Sequence, residues 1–268
     1  MKVQQRLLGQ ERQKGRDFRV SLGKAVGYKG RFVAFDLYFC VPRKYQGCAA
    51  LANQVFRMKF AADHCISQVE QWKEIQERLH HRLIVAPFRP LPRFVAGVDA
   101  GFSEECQTVF AAAVVYDRER RTLAAVSHAV GRVEAPYVPG YLSFREGKAV
   151  LEAIGKLQHE FGVVLFDGQG YAHPRRCGIA SHLSLLMDRP GVGVAKSRLV
   201  GTYDPAGAQA GSSTPLMDGE EQIGLVLRAR AATLSRCLSV SRIAWTSSRP
   251  KNSFWLAASA TVSPNRRV

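Results

Sequence analysis

Hydrophobic and polar positions divide the chain into a strongly patterned centre and two weakly patterned ends. In the centre, continuous apolar runs predict buried β-strands over residues 94–102, 108–117 and 122–131. The charged turn at 118–121 joins the last two strands and indicates an antiparallel meander. Helical spacing of apolar residues predicts helices over 61–85, 144–158 and 177–187, and shorter apolar runs predict strands over 163–167, 191–195 and 222–227.

The order of these elements predicts the fold class and a division of the chain into three parts. Three meandering strands followed by alternating helices and strands favour an α/β fold, with a mixed β-sheet flanked by helices. Residues 1–57 form an atypical basic extension in which only 31–41 resembles a strand. Residues 58–230 form the patterned domain, and residues 231–268 form a second atypical basic segment without helical or strand periodicity.

The charge of the chain is strongly basic but unevenly placed. Its 268 residues carry a net charge of +16, from 38 Lys and Arg against 22 Asp and Glu. The excess lies in the two ends, because residues 94–231 hold 14 basic and 15 acidic residues. A basic chain is typical of nucleic-acid-binding proteins. The nearly neutral centre means that a nucleic-acid substrate has to be argued from the site itself.

Three absences in the sequence narrow the class of protein. No apolar run approaches the roughly 18 residues of a transmembrane helix, so we expect no membrane association. Residues 1–20 lack the apolar segment of a secretory signal. The six cysteines form no Cys-x-x-Cys pair, which disfavours a zinc ribbon or a disulfide-rich scaffold. The resulting expectation is a cytoplasmic protein.

Four polar residues lie where the apolar pattern should bury the chain: Asp99 interrupts a strand, Asp167 ends one, Glu146 opens a helix and His173 follows Asp167 by six residues. A buried carboxylate is unfavourable unless it is paired or binds a cation. If the strands of Asp99 and Asp167 are neighbours, their carboxylates converge, and a divalent cation would relieve the repulsion. Oxygen ligands suit Mg²⁺ or Mn²⁺ better than zinc, and such a site is suited to phosphodiester hydrolysis.

Each of these four residues also has a purely structural interpretation. Asp167 precedes a glycine and could form a turn, and Asp99 could cap one near Gly101. Glu146 in a first helical turn would be favoured by the helix dipole alone, and His173 before a proline is commonly a surface or packing residue. The functional interpretation therefore requires that the four side chains meet in space.

The segment Pro136-Tyr137-Val138-Pro139 is the second unusual feature of the sequence. Its two prolines stiffen a short loop and project Tyr137 between them. A rigid, exposed aromatic ring can stack on bases or wedge into a duplex, whereas a plain connector would pack Tyr137 onto the core. Lys196 follows a predicted strand and could contact a phosphate or simply lie on the surface.

Several stretches, in order along about half of the chain, resemble the endonuclease V family of DNA repair nucleases. The most specific is VLFDGQGYAHPRRCGIASH at 164–182, and the others are FVAGVDAGF at 94–102, PYVPGYLSFREG at 136–147, GVGVAKSRLVGTY at 191–203 and, more weakly, LMDGEEQIGLVLRAR at 216–230. The resemblance implies a ribonuclease-H-like fold, with the nuclease domain at 58–230 and a metal-dependent site.

The resemblance also implies a role for each matching residue. The family's metal-binding and catalytic acids fall on Asp99, Glu146 and Asp167, and its catalytic histidine falls on His173. Its wedge loop falls on Pro136, Tyr137, Val138 and Pro139, its base pocket on Gly140, Leu142 and Gly168, and its characteristic lysine on Lys196.

The implied activity is that of an endodeoxyribonuclease that uses Mg²⁺, with Mn²⁺ as a substitute. It would hydrolyse the second phosphodiester bond 3′ to deoxyinosine in DNA and leave the lesion in the nicked strand. We expect the protein to act as a monomer. The same site could instead cut inosine-containing RNA, and a third interpretation is a catalytically impaired relic that still binds nucleic acid.

The chain departs from the family pattern at both ends. Residues 1–57 match no family segment, which indicates either a misassigned start or a basic extension that helps to bind DNA. After residue 230 the family's Ser-Pro-Gly-His segment and Leu-Pro-Glu-Pro-Thr motif are missing. The loss of all acids there favours a reading-frame change near Leu234, and this altered C-terminus is the basis of the relic interpretation.

Overall fold

The structure is a computed structural model that describes residues 62–86, 92–103, 107–228, 237–241 and 243–245, together with five short strands between residues 8 and 40. Those strands are β1 (Leu8–Gln13), β2 (Arg16–Leu22), β3 (Val26–Tyr28), β4 (Arg31–Ala34) and β5 (Leu37–Cys40). The expected single strand over 31–41 is wrong, because this stretch holds both β4 and β5. An apolar run does not fix where a strand ends, and Asp36 interrupts this one.

Ten strands of the described residues form or join the main sheet. They are β6 (Ile84–Ala86), β7 (Phe94–Ser103), β8 (Thr108–Asp117), β9 (Thr122–Arg132), β10 (Val163–Asp167), β11 (Gly191–Ala195), β12 (Ser213–Asp218), β13 (Glu221–Arg228), β14 (Cys237–Ser241) and β15 (Ile243–Trp245). The main path runs β12-β13-β14-β11-β10-β7-β8-β9.

The direction of the strands makes this sheet mixed, as the sequence predicts. Strands β7, β8 and β9 form the expected antiparallel meander. Strand β10 runs parallel to both of its neighbours, β7 and β11. Strands β14 and β15 lie beyond residue 230, so the expectation that the last segment has no strand is wrong for these residues. The boundary at 230 and the origin of the tail stay predictions.

Three helices of the described residues accompany the sheet: α1 (Ala62–His80), α2 (Leu142–Gly155) and α3 (Ile179–Met187). The predicted helix over 61–85 ends earlier than expected, because residues 84–86 form β6. Helix α2 begins two residues before its predicted start at 144. None of the helices in the described part of the chain is long and apolar enough to cross a membrane.

The core lies where α2 and α3 pack against the main sheet. Alternate residues of β8, Val109, Ala111 and Ala113, belong to one buried cluster with Ala153 of α2 and Leu183 of α3. This alternation is what a strand with a period of two presents to a helical layer. Helix α1 packs on α3 in a separate cluster. The packing fixes α2, β7 and β10 relative to one another, and these elements carry the acids described next.

Candidate active site

The two aspartates lie next to each other on neighbouring parallel strands. Strands β7 and β10 pair in parallel, and Val98 is in register with Phe166. Asp99 and Asp167 each follow that pair by one residue. The hypothesis that their strands are neighbours is therefore confirmed. The interaction between the two side chains is strong enough to shift the pKa of Asp99.

Burial and mutual repulsion oppose ionisation within this group of carboxylates. Burial, followed by the charge of Asp167, raises the pKa of Asp99 above its ordinary range. Burial, followed by the charges of Asp99 and Asp167, raises the pKa of Glu146 to about 8. A bound cation would favour the charged forms and lower both pKa values. Perturbed acids in a cleft are typical of functional sites.

Helix α2 brings Glu146 to the aspartates from within its second turn. The helix begins at Leu142, and its first turn contains no acidic residue. The Glu146 side chain is buried, with 7% exposure. The helix dipole acts mainly within the first turn, so it does not account for a buried acid at this position. The dipole interpretation is wrong, because it depended on a helix that started at 144.

Lys196 supplies a positive charge at the edge of the carboxylate group. Its Nζ donates a hydrogen bond to Oδ2 of Asp167 at 2.5 Å. The charge of Lys196 partly opposes the rise in the pKa of Asp99. The two side chains are 55% and 28% exposed, so solvent can still reach the pair. Lys196 is thus part of the site rather than an isolated surface lysine.

His173 is buried, with 1% exposure, so the interpretation as a surface histidine is wrong. Its Nδ1 accepts a hydrogen bond from the backbone N–H of Arg175 at 3.2 Å. The proton therefore belongs on Nε2, which lies 2.9 Å from the carbonyl oxygen of Gly140 and donates to it. Burial lowers the pKa of His173 to about 4, so the ring is neutral near pH 7. Both ring nitrogens are engaged with backbone.

A cavity of about 310 Å³ connects these groups. Its volume lies near the lower end of the range for small-ligand pockets. Ten of the twelve residues singled out from the sequence line it: Asp99, Tyr137, Pro139, Gly140, Leu142, Glu146, Asp167, Gly168, His173 and Lys196. The other two, Pro136 and Val138, belong to the same loop but do not line the cavity.

Tyr137 stands out from the loop at the edge of this cavity. Its side chain is 62% exposed, so the interpretation as a connector residue packed on the core is wrong. The guanidinium carbon of Arg145 lies 5.7 Å from the Tyr137 ring centroid and 4.2 Å from that of Phe102. An exposed ring supported by a cation in this way is available to stack on another flat group.

Gln76 of α1 is the site residue that the sequence analysis missed. It is 1% exposed, and its Nε2 donates to the carbonyl oxygen of Gly140 at 2.9 Å. A signal was present, because Gln76 lies on the same helical face as Trp72 and Leu79, which are buried. A polar residue on an apolar helical face needs a hydrogen-bond partner. Gln76 does not itself line the cavity; the lining residues that were not singled out include Gln169, Ile179 and Leu199.

The donor set of the site fits a hard divalent cation. Asp99, Glu146 and Asp167 offer only carboxylate oxygens, which Mg²⁺ and Mn²⁺ prefer. Within residues 62–86, 92–103 and 107–228, no three His, Cys, Asp or Glu side chains stand close enough together to hold an ion by themselves. Mg²⁺ commonly binds through one or two carboxylates and completes its shell with water and substrate phosphates. The pair Asp99 and Asp167 meets that requirement.

Solved structures share this fold. Endonuclease V of Streptomyces avermitilis is 40% identical, with a TM-score of 0.60 over 65% of this chain and 76% of that chain. Endonuclease V of Ciona intestinalis, at 24% identity, has a TM-score of 0.57 over 66% of this chain and 82% of that chain. These structures have a ribonuclease-H-like fold. The protein is therefore a ribonuclease-H-like α/β protein, as expected.

Sequence comparison identifies the family within this fold class. The family model of Endonuclease V matches residues 77–245. Endonuclease V of Nostoc punctiforme is 47% identical over 175 residues, which cover 65% of this chain and 79% of that protein. The chain belongs to the endonuclease V family, a family of nucleases.

Proposed function

We propose that the protein is a DNA repair endonuclease that hydrolyses the second phosphodiester bond 3′ to deoxyinosine and leaves the lesion in the nicked strand. The observation that carries this proposal is one cavity that is lined both by three carboxylates and by the stiff loop that bears Tyr137. A carboxylate-bound divalent ion is suited to phosphodiester hydrolysis, and a cavity beside an exposed aromatic ring is suited to an extruded base.

One of the structural relatives is a complex with nucleic acid. Endonuclease V of Ciona intestinalis was crystallised in complex with a 23mer DNA containing an inosine followed by a ribo-adenosine. That relative is 24% identical to this chain, so by itself it bears on the fold. The substrate of this chain therefore rests on its own cavity and on its family membership.

Recognition of the lesion would use the loop and the walls of the cavity. Hypoxanthine pairs weakly with thymine, so it leaves the base stack more readily than a matched base. The Tyr137 ring would occupy the gap that remains in the duplex. The backbone at Gly140 and Gly168, with the Leu142 side chain, would surround the purine edge. That edge differs from adenine at O6 and at N1–H.

Cleavage would use the carboxylates that line the same cavity. Asp99 and Asp167 would hold Mg²⁺, or Mn²⁺ in its place, with Glu146 bound directly or through a water molecule. When bound, the metal ion supplies a Lewis acid that activates a water molecule and stabilises the leaving oxygen. Lys196 lies where it can neutralise Asp167 or approach a phosphate oxygen. His173 is neutral and holds the backbone at Gly140.

A nicking assay tests the proposed function. A duplex with one deoxyinosine is incubated with the protein, with Asp99→Ala, and with either Mg²⁺ or EDTA. We expect a nick one nucleotide beyond the lesion that disappears with EDTA. We expect Asp99→Ala to slow cleavage by about a thousandfold or more, because metal ions contribute several kcal/mol to the stabilisation of such transition states. Binding of the same duplex should persist in Asp99→Ala.

Two controls make the outcome specific. A duplex with deoxyadenosine at the same place measures discrimination, and an inosine-containing RNA strand measures the alternative substrate. Near-normal cleavage by Asp99→Ala would remove this residue from metal binding. Cleavage of the RNA but not of the deoxyinosine duplex would show that the substrate is inosine-containing RNA and not DNA. Absence of nicking by a chain whose circular dichroism shows a folded protein would favour the relic interpretation.

A further inference from the structure

Helix α1 contributes one buried polar side chain, Gln76, to the end of the Tyr137 loop. Gln76 lies between Trp72 and Leu79 on the buried face of the helix. Trp72 packs in a cluster with Tyr141, and its ring stacks on Phe144 with centroids 5.0 Å apart. The helix therefore backs the segment that joins the Tyr137 loop to α2.

The amide of Gln76 uses all of its hydrogen-bonding groups on segments far away in sequence. Its Nε2 donates to the carbonyl oxygens of Gly140 at 2.9 Å and Cys177 at 3.0 Å. Its Oε1 accepts a hydrogen bond from Nε of Arg175 at 2.6 Å. One side chain thus ties the end of the Tyr137 loop to the segment that follows Asp167.

The carbonyl oxygen of Gly140 is the point where these bonds converge. It accepts from Gln76, from Nε2 of His173 at 2.9 Å and from a terminal nitrogen of Arg175 at 3.3 Å. Gly140 itself has a φ of +84°, and a Cβ there would lie 3.2 Å from Arg175 and 3.3 Å from His173. The loop end therefore adopts a backbone conformation that glycine favours, inside a set of donors that leaves little room for a side chain.

We propose that Gln76 is a positioning residue for lesion recognition, an inference that rests on the proposed function. One N–H of its amide holds the Gly140 carbonyl and the other holds the Cys177 carbonyl, and this fixes the wall of the cavity formed by Gly140 and Leu142. A carbonyl oxygen has two lone pairs, so three donors leave it no acceptor capacity for a base. The Gly140 carbonyl serves to place the loop, and Gln76 acts on DNA only through it.

Two variants separate the contacts of Gln76. Gln76→Met keeps the length of the side chain and removes every hydrogen bond. Gln76→Glu keeps an oxygen that can accept from Arg175. It replaces the donating amide nitrogen by an oxygen, so the hydrogen bonds to the carbonyls of Gly140 and Cys177 are lost. Ser127→Ala is the matched control, because Ser127 is buried and its Oγ donates to the carbonyl of Ala153, away from the cavity.

The first readout is amide hydrogen exchange in the loop, which requires no substrate. The Tyr141 N–H donates to the carbonyl of Val138 at 3.0 Å, so its exchange rate reports on the loop end. We expect Gln76→Met and Gln76→Glu to speed exchange over residues 138–142 by about tenfold or more, since the carbonyls of Gly140 and Cys177 each lose the donor that ties them together. Ser127→Ala should leave exchange in this segment unchanged.

The second readout is the kinetics of nicking on a deoxyinosine duplex. We expect KM to rise about tenfold in Gln76→Met, with kcat within about threefold of the parent, because binding geometry changes and the carboxylates do not. Ser127→Ala should change neither constant. If a Gln76 variant were only less stable, a smaller fraction of the protein would be folded. The apparent kcat would then fall, but KM would not rise.

Several results would overturn the proposal. Native exchange over 138–142 in Gln76→Glu would show that the amide hydrogens do not hold the loop, even if Gln76→Met fails to fold. Faster amide exchange with an unchanged KM would show that Gln76 stabilises the core but does not position the loop for lesion recognition. Equal effects in Ser127→Ala would also contradict the positioning role. If the parent protein does not nick the duplex, the proposed function fails. The placement of the loop is then still tested by amide hydrogen exchange over residues 138–142 and by the Kd of each variant for that duplex.

Discussion

His182 illustrates how burial sets the charge of a single side chain in this protein. It lies in α3 with 6% exposure, its Nδ1 is 2.8 Å from Oγ of Ser143, and the Phe144 ring meets it edge-on. Burial lowers its pKa from 6.5 to about 4. In the folded protein the His182 ring therefore stays neutral down to about pH 4, whereas in the unfolded chain it takes up a proton below pH 6.5.

This difference predicts a loss of stability in mild acid. The contribution is fully present above pH 6.5 and is lost as the pH falls from 6.5 towards 4. We expect His182→Asn, which keeps a group able to bond Ser143 but does not titrate, to lose about 2 kcal/mol less than the parent between pH 7.5 and 5. Urea unfolding at both pH values measures the difference. Equal losses in the two proteins would show that His182 is already charged in the folded state.

The two aspartates of the site could be predicted from the sequence for a physical reason. Asp99 and Asp167 interrupt or end apolar strands, where a carboxylate needs a partner, so each is visible within a few residues. Gln76 is different, because its partners Gly140 and Cys177 are 64 and 101 positions away. Nothing close to it in sequence indicates what it bonds. Only the packing of α1 against the loop brings these groups together.

At the scale of elements, strand β11 fits closely against the turn that follows β10. A Cβ on Gly193 would collide with backbone atoms of Gly168, Gln169 and Gly170. Gly168 lines the cavity directly after Asp167. The strand can lie beside the turn because position 193 has no side chain. The placement of one site acid thus depends on a glycine in the neighbouring strand.

We expect Gly193→Ala to destabilise the fold by about 1–3 kcal/mol, because backbone rather than a flexible side chain has to move. Nicking of a deoxyinosine duplex should fall more than the folded fraction does, since the turn carries part of the cavity. Gly155→Ala is the control, because a Cβ at this last residue of α2 meets no atom within 4 Å outside its own helix. It should be neutral or stabilising by up to about 1 kcal/mol. Thermal unfolding and nicking rates that do not differ between the two variants would refute this prediction.

The strands that the sequence predicted well are those with continuous apolar runs. Strands β8, β10 and β11 have the predicted bounds. Strand β14 was missed although Leu238 and Val240 alternate with Ser239 and Ser241, because five residues of alternation are a weak signal among many serines. Its position comes from pairing with distant strands, a source of stability that local pattern does not contain.

At the scale of the whole molecule, β14 lies inside the main sheet rather than at its edge. It pairs antiparallel with β13 on one side and with β11 on the other. Strand β11 also pairs with β10, which carries Asp167. The family match likewise continues to residue 245. The segment beyond residue 230 therefore connects β12 and β13 to the part of the sheet that holds the site.

This position predicts different results for two shortened chains. A chain that ends after Trp245 keeps both β14 and β15, and we expect it to unfold cooperatively and to nick a deoxyinosine duplex like the parent. A chain that ends after residue 230 leaves β13 and β11 without this partner, and we expect it to lose several kcal/mol, a large part of a typical folding free energy. Circular dichroism melts and nicking rates compare the two. Similar behaviour of both chains would show that β14 is dispensable.

The three hydrogen bonds to the Gly140 carbonyl also affect the entropy of recognition. Ordering a loop is unfavourable whenever it occurs, whether during folding or on contact with a ligand. Here the ordering takes place during folding, when burial of Trp72 and Tyr141 offsets it. The cavity wall is then already in shape when a base arrives. Preorganisation of this kind favours a fixed fit to one base outline over adaptation to many.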